Sequence, residues 1–276
     1  MKKKIRVGVV QLDVGPDKVK NIDKALALIE KGAKDGASVL ALPELFNYMG
    51  SFDSPDEIAE EENGPTIGSM KEAAKKHKVY IVAGSVLIRQ EEGLPKNTCF
   101  FISPEGKILS EYSKMHLFDL AVPEKISFLE SKFMQAGEHV TTCETDFGKV
   151  GFAICNDLRY PEIFRAMTFD GAKIIFVPSA FTKFTGQHHW HSLTKVRAIE
   201  NQIFIVAINQ SGKNIEGVKF FGHSRVVDPM GKILVDGNED GDQLLMCDID
   251  LNELDTFREQ LPALKKIKKE YKIKAK

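Results

Sequence analysis

Three side chains capable of covalent or acid–base chemistry each follow a short apolar run. Glu44 comes after Val39-Leu40-Ala41-Leu42-Pro43, Lys114 after the stretch Lys107 to Tyr112, and Cys155 after Val150-Gly151-Phe152-Ala153-Ile154. In α/β proteins ligands bind beyond the ends of strands, where loops leave the packed layers. A cysteine, a lysine and a glutamate meeting at such an edge would form a nucleophilic site without histidine. The attacking species would be a thiolate, and a free thiol with a pKa of about 8.5 is mostly protonated at neutral pH. Lys114 could supply a cation favouring the anion. The stretch Arg159-Tyr160-Pro161-Glu162, with proline at an N1-like position, could supply a helix N-terminus. Glu44 suits the carboxylate that takes the thiol proton and returns it to a poor leaving group such as an amine. The Lys114 ammonium and the backbone N–H of Asn156 are candidate donors to a tetrahedral oxyanion. Singly, each residue has an ordinary structural role: a buried inert thiol, a helix-start glutamate, a solvated lysine.

The elements that must position these residues read as alternating α and β. Ile5 to Leu12 predicts a strand, Val19 to Lys34 a helix closed by Gly36, and Ser38 to Leu42 a buried strand ended by Pro43. Ile67 to Lys78 predicts a helix and Val79 to Ile88 a third strand. Thr98 to Ile102 and Lys107 to Tyr112 form a hairpin around Pro104-Glu105-Gly106. Met115 to His139 shows little periodicity, and loops beyond about 15 residues in compact domains tend to be functional. A second hairpin turns at Phe147-Gly148 between Val140 to Asp146 and Lys149 to Ile154. Then come a helix Pro161 to Phe169, a strand Lys173 to Val177, a helix from about His188 to Asn201, and a strand Ile203 to Ile208. Phe220 to Val227, Lys232 to Val235 and Leu244 to Ile249 complete the strands. No repeat or linker divides the chain, so residues 1–262 read as one α/β domain, followed by a Lys-rich tail, 263–276, that is solvated or reaches a partner subunit.

Composition narrows the function. The chain has 276 residues, 43% hydrophobic and 28% charged, with 38 basic and 39 acidic side chains, so its formal net charge is −1. That excludes a global electrostatic drive toward nucleic acid or anionic membrane. The basic start Lys2-Lys3-Lys4 is followed by an alternating, Arg6-interrupted run and not by the apolar core of a secretory signal. No stretch reaches the roughly 18 consecutive apolar residues of a membrane helix. The four cysteines include no Cys-x-x-Cys pair and make no disulfide framework, which points to a reducing cytoplasm. No Gly-x-Gly-x-x-Gly or Walker A sequence supports a nucleotide cofactor. Ser179 in Val177-Pro178-Ser179-Ala180 lacks the glycines of a hydrolase elbow. His188, His189 and His191 invite a metal, but zinc helices prefer i, i+4 histidines with further ligands, so they read as helix-entry and pocket-wall residues.

Three blocks resemble those of the nitrilase superfamily of carbon–nitrogen hydrolases. They are Ala41-Leu42-Pro43-Glu44-Leu45-Phe46, Tyr112-Ser113-Lys114-Met115-His116-Leu117-Phe118-Asp119, and Gly151 through Cys155-Asn156-Asp157 to Glu162. The resemblance implies a four-layer α-β-β-α sandwich that assembles as a homodimer or higher homo-oligomer, with C-terminal segments crossing the dimer. It also implies no cofactor, with Glu44 as general base, Lys114 as oxyanion stabiliser and Cys155 as nucleophile. A second family glutamate maps onto Glu130 in Phe128-Leu129-Glu130-Ser131, where it would orient Lys114 or the substrate amine. The residue after the cysteine departs from the tyrosine usual in the closest branches; it is Asn156.

Within the superfamily, His116-Leu117-Phe118-Asp119 with Val122 to Ser131, Thr185-Gly186-Gln187-His188-His189-Trp190, and Phe221-Gly222-His223-Ser224 resemble the ω-amidase branch. That likeness implies short dicarboxylate monoamides such as α-ketoglutaramate and α-ketosuccinamate, cut at the terminal amide to acid plus ammonia. A substrate carboxylate calls for a cation; Arg159 is the candidate, since guanidinium binds carboxylate bidentately, with Thr185 and Tyr48 as further candidates. The ordinary alternative for Arg159 is an ion pair with Asp157 or Glu162. Neighbouring branches, deaminated-glutathione amidase and N-carbamoyl amine hydrolase, are the alternative enzymes. A non-catalytic binding module of the same fold is the alternative class.

Overall fold

A computed structural model describes residues 2–122, 126–268 and 274. Along the chain run β1 (Lys4–Asp13), α1 (Lys18–Lys34), β2 (Val39–Ala41), the single-turn α2 (Pro55–Ile58), α3 (Pro65–His77), β3 (Tyr80–Val82) and β4 (Val86–Ile88). They continue with β5 (Lys96–Ile102), β6 (Ile108–Ser113), β7 (Asp119–Val122), β8 (Ile126–Leu129), β9 (Thr142–Cys143), β10 (Val150–Phe152), α4 (Pro161–Phe169) and β11 (Ile174–Ser179). Last come α5 (Lys183–Asn201), β12 (Phe204–Ser211), β13 (Arg225–Val227), β14 (Ile233–Asp236), β15 (Gln243–Asp250) and α6 (Leu251–Gln260).

Two twisted halves of one sheet meet where β1 touches β12 at Leu12↔Gln210 and Asp13↔Ser211. One half carries β15, β1, β2, β3, β5 and β6; the other carries β9 through β14. The central strands are parallel and buried on both faces, as near-continuous Val/Ile runs require. Period-two alternation sends Val7 and Val9 of β1, with Val39 and Ala41 of β2, into the core between the sheets. Val10, Leu12, Leu40 and Leu42 face the other way, under α1 and α3. Across the sandwich Phe101 meets Phe152 at 5.4 Å, and Phe152 stacks on Phe176. With α4 and α5 covering the second sheet, the four layers are α-β-β-α, as expected.

Several predicted boundaries move for identifiable reasons. Val79 to Ile88 is two strands, because Gly84 (φ +43°) breaks the run where a Cβ would lie 2.0 Å from the Pro43 carbonyl oxygen. α5 begins at Lys183, before His188; Gly186, which looks like a helix breaker, sits inside it because a Cβ there would strike Phe221 at 2.6 Å. Phe220 to Val227 is strand only from Arg225, since Gly222 and His223 both have positive φ. The aperiodic segment Met115 to His139 holds the β7–β8 hairpin, a two-stranded sheet of its own. Such a pair is marginal alone; here Phe128 packs on Phe118 and Phe133. Pro123, Glu124 and Lys125 of the ω-amidase-like block lie outside the described residues, as does most of the Lys-rich tail beyond Lys268.

Candidate active site

The three reactive residues occupy the ends of β2, β6 and β10, and the fold brings them to one place. The chain leaves β2 through Leu42-Pro43, so Glu44 enters the interior at once and is almost completely buried. Its Oε1 accepts from the Lys114 Nζ at 2.8 Å and from the Asn97 Nδ2 at 2.8 Å. Leu45, at φ +46°, turns the chain sharply, and its N–H donates to the Ser85 hydroxyl. Gln210 on β12 donates to the Glu44 carbonyl at 2.7 Å, tying this loop to the opposite sheet.

Lys114 is the first residue after β6. Its N–H donates to Asn97, its carbonyl accepts from Gly137, and its ammonium is fully buried. Both Glu130 oxygens approach that ammonium at 2.8 Å. Glu130 opens a single 3-10 turn after β8, and its Oε2 also accepts from the Phe118 N–H at 2.7 Å. Burial by itself would drive the proton off Lys114, but the charges of Glu130 and Glu44 outweigh it and hold the ammonium firmly protonated. Burial lifts the Glu130 carboxyl above its ordinary range, with Lys114 pulling back and Glu44 adding to the lift.

Cys155 stands at φ +49°, a left-handed conformation that costs a non-glycine residue about 1–2 kcal/mol. It begins a 3-10 turn, Cys155–Arg159, separate from α4, which starts at Pro161 as predicted. The electrostatics correct one expectation. Burial and the Glu44 and Glu130 charges push the thiol well above its ordinary pKa, against the opposing pull of Lys114 and the Ala180 N–H. Burial and the neighbouring carboxyl groups thus disfavour the resting thiolate.

The turn is held by Asp157, which the sequence suggested only as an ion-pair partner for Arg159. The buried Asp157 carboxylate accepts from Tyr112 Oη (2.7 Å), the Ile154 N–H (2.8 Å) and the His116 N–H (3.0 Å), and lies 2.7 Å from His116 Nδ1. His116 stacks on Tyr160. Asp157 thereby locks the cysteine turn to the segment that carries Lys114. An aspartate two residues beyond a strand-end cysteine is well placed to cap its own turn, and that was the available signal. Asn97, a polar residue inside the apolar β5, was the other. The Asn156 side chain donates to the Leu117 carbonyl at 3.0 Å and accepts from Arg159 Nε at 2.9 Å, which gives the unusual asparagine a structural task.

Glu44, Glu130 and Cys155 line a cavity of about 510 Å³, with Lys114 bridging the two carboxylates behind it. Lys132, Lys183 and Lys219 lie around it together with Asp53 and Glu216, and Lys183 pairs with Glu239. Also against Cys155, and sharing Phe118, Ala180 and Thr182 with that cavity, a pocket of only about 10 Å³, close to the volume of one water, is bounded by Asn156, Arg159 and Thr185. Arg159 is half-buried, with NH1 2.9 Å from His189 Nδ1 and its guanidinium 5.2 Å from the Phe181 ring centre. It pairs with no carboxylate among the described residues, and Asp157 is taken up elsewhere. Tyr48 is not brought to either cavity; its hydroxyl donates to the Ser51 carbonyl and its ring packs on Phe52. The α5 histidines lie inside the helix and line neither cavity, with His191 against Phe221 and His223. Among the described residues no three metal-ligating side chains cluster.

A thiol, a shared ammonium and two carboxylates thus meet beyond the strand ends of an α-β-β-α sandwich, and the class of protein is that of the carbon–nitrogen hydrolases. The chain belongs to the carbon–nitrogen hydrolase family, whose pattern matches residues 6–259, and it is a hydrolase of non-peptide C–N bonds. It is 36% identical to the omega-amidase NIT2 of Mus musculus, over 94% of each chain. It is 34% identical to the deaminated glutathione amidase of Dictyostelium discoideum, over 95% of this chain and 93% of that one. Its fold superposes on the crystal structure of Nit3 from Saccharomyces cerevisiae with a TM-score of 0.85 at 31% identity, covering 95% and 96% of the two chains.

Proposed function

We propose that the chain hydrolyses the terminal amide of a small carboxylate-bearing substrate, in the manner of an ω-amidase acting on α-ketoglutaramate or α-ketosuccinamate. The observation that carries this reading is the Lys114 ammonium held at 2.8 Å by both Glu44 and Glu130, with Cys155 on the same cavity wall. Glu44 takes the Cys155 proton as sulfur attacks the amide carbon. The oxyanion is met by Lys114 and the Asn156 N–H. Glu44 then gives the proton to nitrogen, the C–N bond breaks and ammonia leaves a thioester. Glu44 next deprotonates a water that attacks the thioester; the C–S bond breaks, sulfur recovers the proton and the acid departs. Glu130 holds Lys114 in register. Arg159, which lines the small pocket with Thr185 and pairs with no carboxylate among the described residues, receives the far carboxylate of a short substrate.

The relative named for deaminated glutathione supports that activity as a second reading. We assign the catalytic unit to residues 1–262. The exposed Phe169 on α4, with Val196 and Ile199 on α5, supports a homodimer or higher homo-oligomer, and the four unpaired cysteines support a cytoplasmic setting. The test is ammonia release from succinamate and α-ketoglutaramate. Wild type turns these over and Cys155→Ala does not. A wild type no faster than the variant across a broad amide panel makes the protein a binding module.

A further inference from the structure

Arg159 is held on three sides, and one of them is a residue with no task so far. Its Nε donates to the Asn156 side-chain oxygen at 2.9 Å, and Asn156 is itself tied to the Leu117 carbonyl at 3.0 Å. The guanidinium carbon lies 5.2 Å from the centre of the buried Phe181 ring. A terminal nitrogen of the fork sits 2.9 Å from His189 Nδ1. A guanidinium only donates, so His189 must offer its Nδ1 lone pair and carry its ring proton on Nε2. Burial, the Arg159 charge and His188 hold the His189 pKa below its ordinary value, which keeps that lone pair free of a proton.

α5 places the histidine for this contact. Thr185 and His189 are four residues apart, so one helix face presents both, the first to the small pocket at Cys155 and the second to Arg159. The helix is pinned on either side of His189. Gly186 packs against Phe221, where a Cβ would come within 2.6 Å, and the buried Trp190 donates its indole N–H to the His223 carbonyl at 2.7 Å. His189 itself is exposed and lines neither cavity, so it reaches a substrate only through Arg159. A loose arginine gives up rotamer freedom when it grips a carboxylate, whereas one already held gives up little.

We propose that His189 is a positioning residue: it holds the Arg159 fork ready for the far carboxylate and so sets the preference for carboxylate-bearing over neutral amides. This deepens the amidase reading above and rests on Arg159 as the carboxylate receptor. The test is steady-state ammonia release from succinamate and from neutral butyramide by wild type, His189→Leu, His189→Asn and Arg159→Leu. His189→Leu removes the acceptor, and KM for succinamate should rise about two- to tenfold, the range for re-ordering one long side chain. Its kcat should change little, and butyramide turnover should be unaffected. His189→Asn sets an amide oxygen close to where Nδ1 stood and should restore most of the wild-type KM. An unchanged succinamate KM in His189→Leu, an equal rise for both substrates, or no recovery with asparagine overturns the inference, while an Arg159→Leu that still separates the substrates leaves the receptor standing. If Arg159→Leu does not separate them either, inference and receptor fall together. Absence of wild-type turnover on both amides removes the amidase reading as well.

Discussion

Replacing Lys114 by methionine tests the central electrostatic argument most severely. The ammonium is completely buried and contacts Glu44 and Glu130 at 2.8 Å. Methionine fills similar space but leaves two buried carboxylates facing each other without a cation. Breaking a buried pair from one side costs about 3–5 kcal/mol, and here one cation serves two anions, so the upper half of that range is expected at pH 7. Burial already holds Glu130 above the ordinary carboxylate range with Lys114 pulling it down; removing that pull raises it further. A carboxyl whose pKa is higher in the folded than in the unfolded chain binds more protons when folded, so its stability contribution is present at low pH and lost as pH rises through the folded value. The deficit of the variant should therefore shrink between pH 7 and pH 5. The double variant Lys114→Met/Glu130→Gln removes one uncompensated charge and should recover part of the loss. Turnover should fall about 10²–10³-fold in both variants, as when an oxyanion donor is deleted. Urea unfolding at the two pH values, with ammonia release on the same samples, reads every quantity. A deficit independent of pH, no recovery in the double variant, or near-normal turnover refutes the reasoning.

Other consequences are simpler to measure. Because burial and two carboxylates hold the Cys155 thiol protonated, its alkylation by iodoacetamide should accelerate steadily from pH 6 to 10, followed by mass spectrometry of the Cys155 peptide; a rate already at its plateau below pH 7 contradicts the structure. Arg159→Leu should raise KM for succinamate about tenfold or more, in line with losing a charged hydrogen bond of about 1.5–3 kcal/mol. The neutral butyramide should be little affected, and an equal change for both removes Arg159 from carboxylate recognition. Asp157→Asn keeps the shape but weakens the bonds from Tyr112, His116 and Ile154, so denaturant unfolding should show a loss of about 2–3 kcal/mol, with kcat falling more than KM. A stable variant with normal kcat would show that the turn needs no latch.

How much of this was legible beforehand follows from the range of each interaction. α1 and α4 were readable to within a residue because apolar spacing and a terminal glycine or proline act locally. α6 carried the same kind of signal, with Asp250 capping the Asn252 N–H and Glu253 three residues on, yet it buries only Leu251 and Leu254 and it passed unread. The β7–β8 hairpin could not be read at all: its order comes from Phe118 and Phe133, which lie outside its strands. The break in Val79 to Ile88 likewise depends on the Pro43 carbonyl, forty residues away, packing against Gly84.

The site divides along the same line. Residue types at strand ends disclosed Glu44, Lys114 and Cys155, since a strand end is a local feature. Charge balance is not local. That Lys114 answers to two carboxylates, and that the sulfur consequently rests as a thiol, depends on Glu130 arriving from the unread hairpin. This changes what the catalyst must do. An enzyme with a ready thiolate needs only to bind an amide, whereas the mechanism proposed above has a proton move from Cys155 to Glu44 in the same encounter that brings the carbonyl to Lys114. In that proposal substrate binding, by covering the cavity and placing a developing oxyanion beside the ammonium, supplies the charge rearrangement that the resting site withholds, so that sulfur becomes nucleophilic only when an acyl carbon is present to receive it.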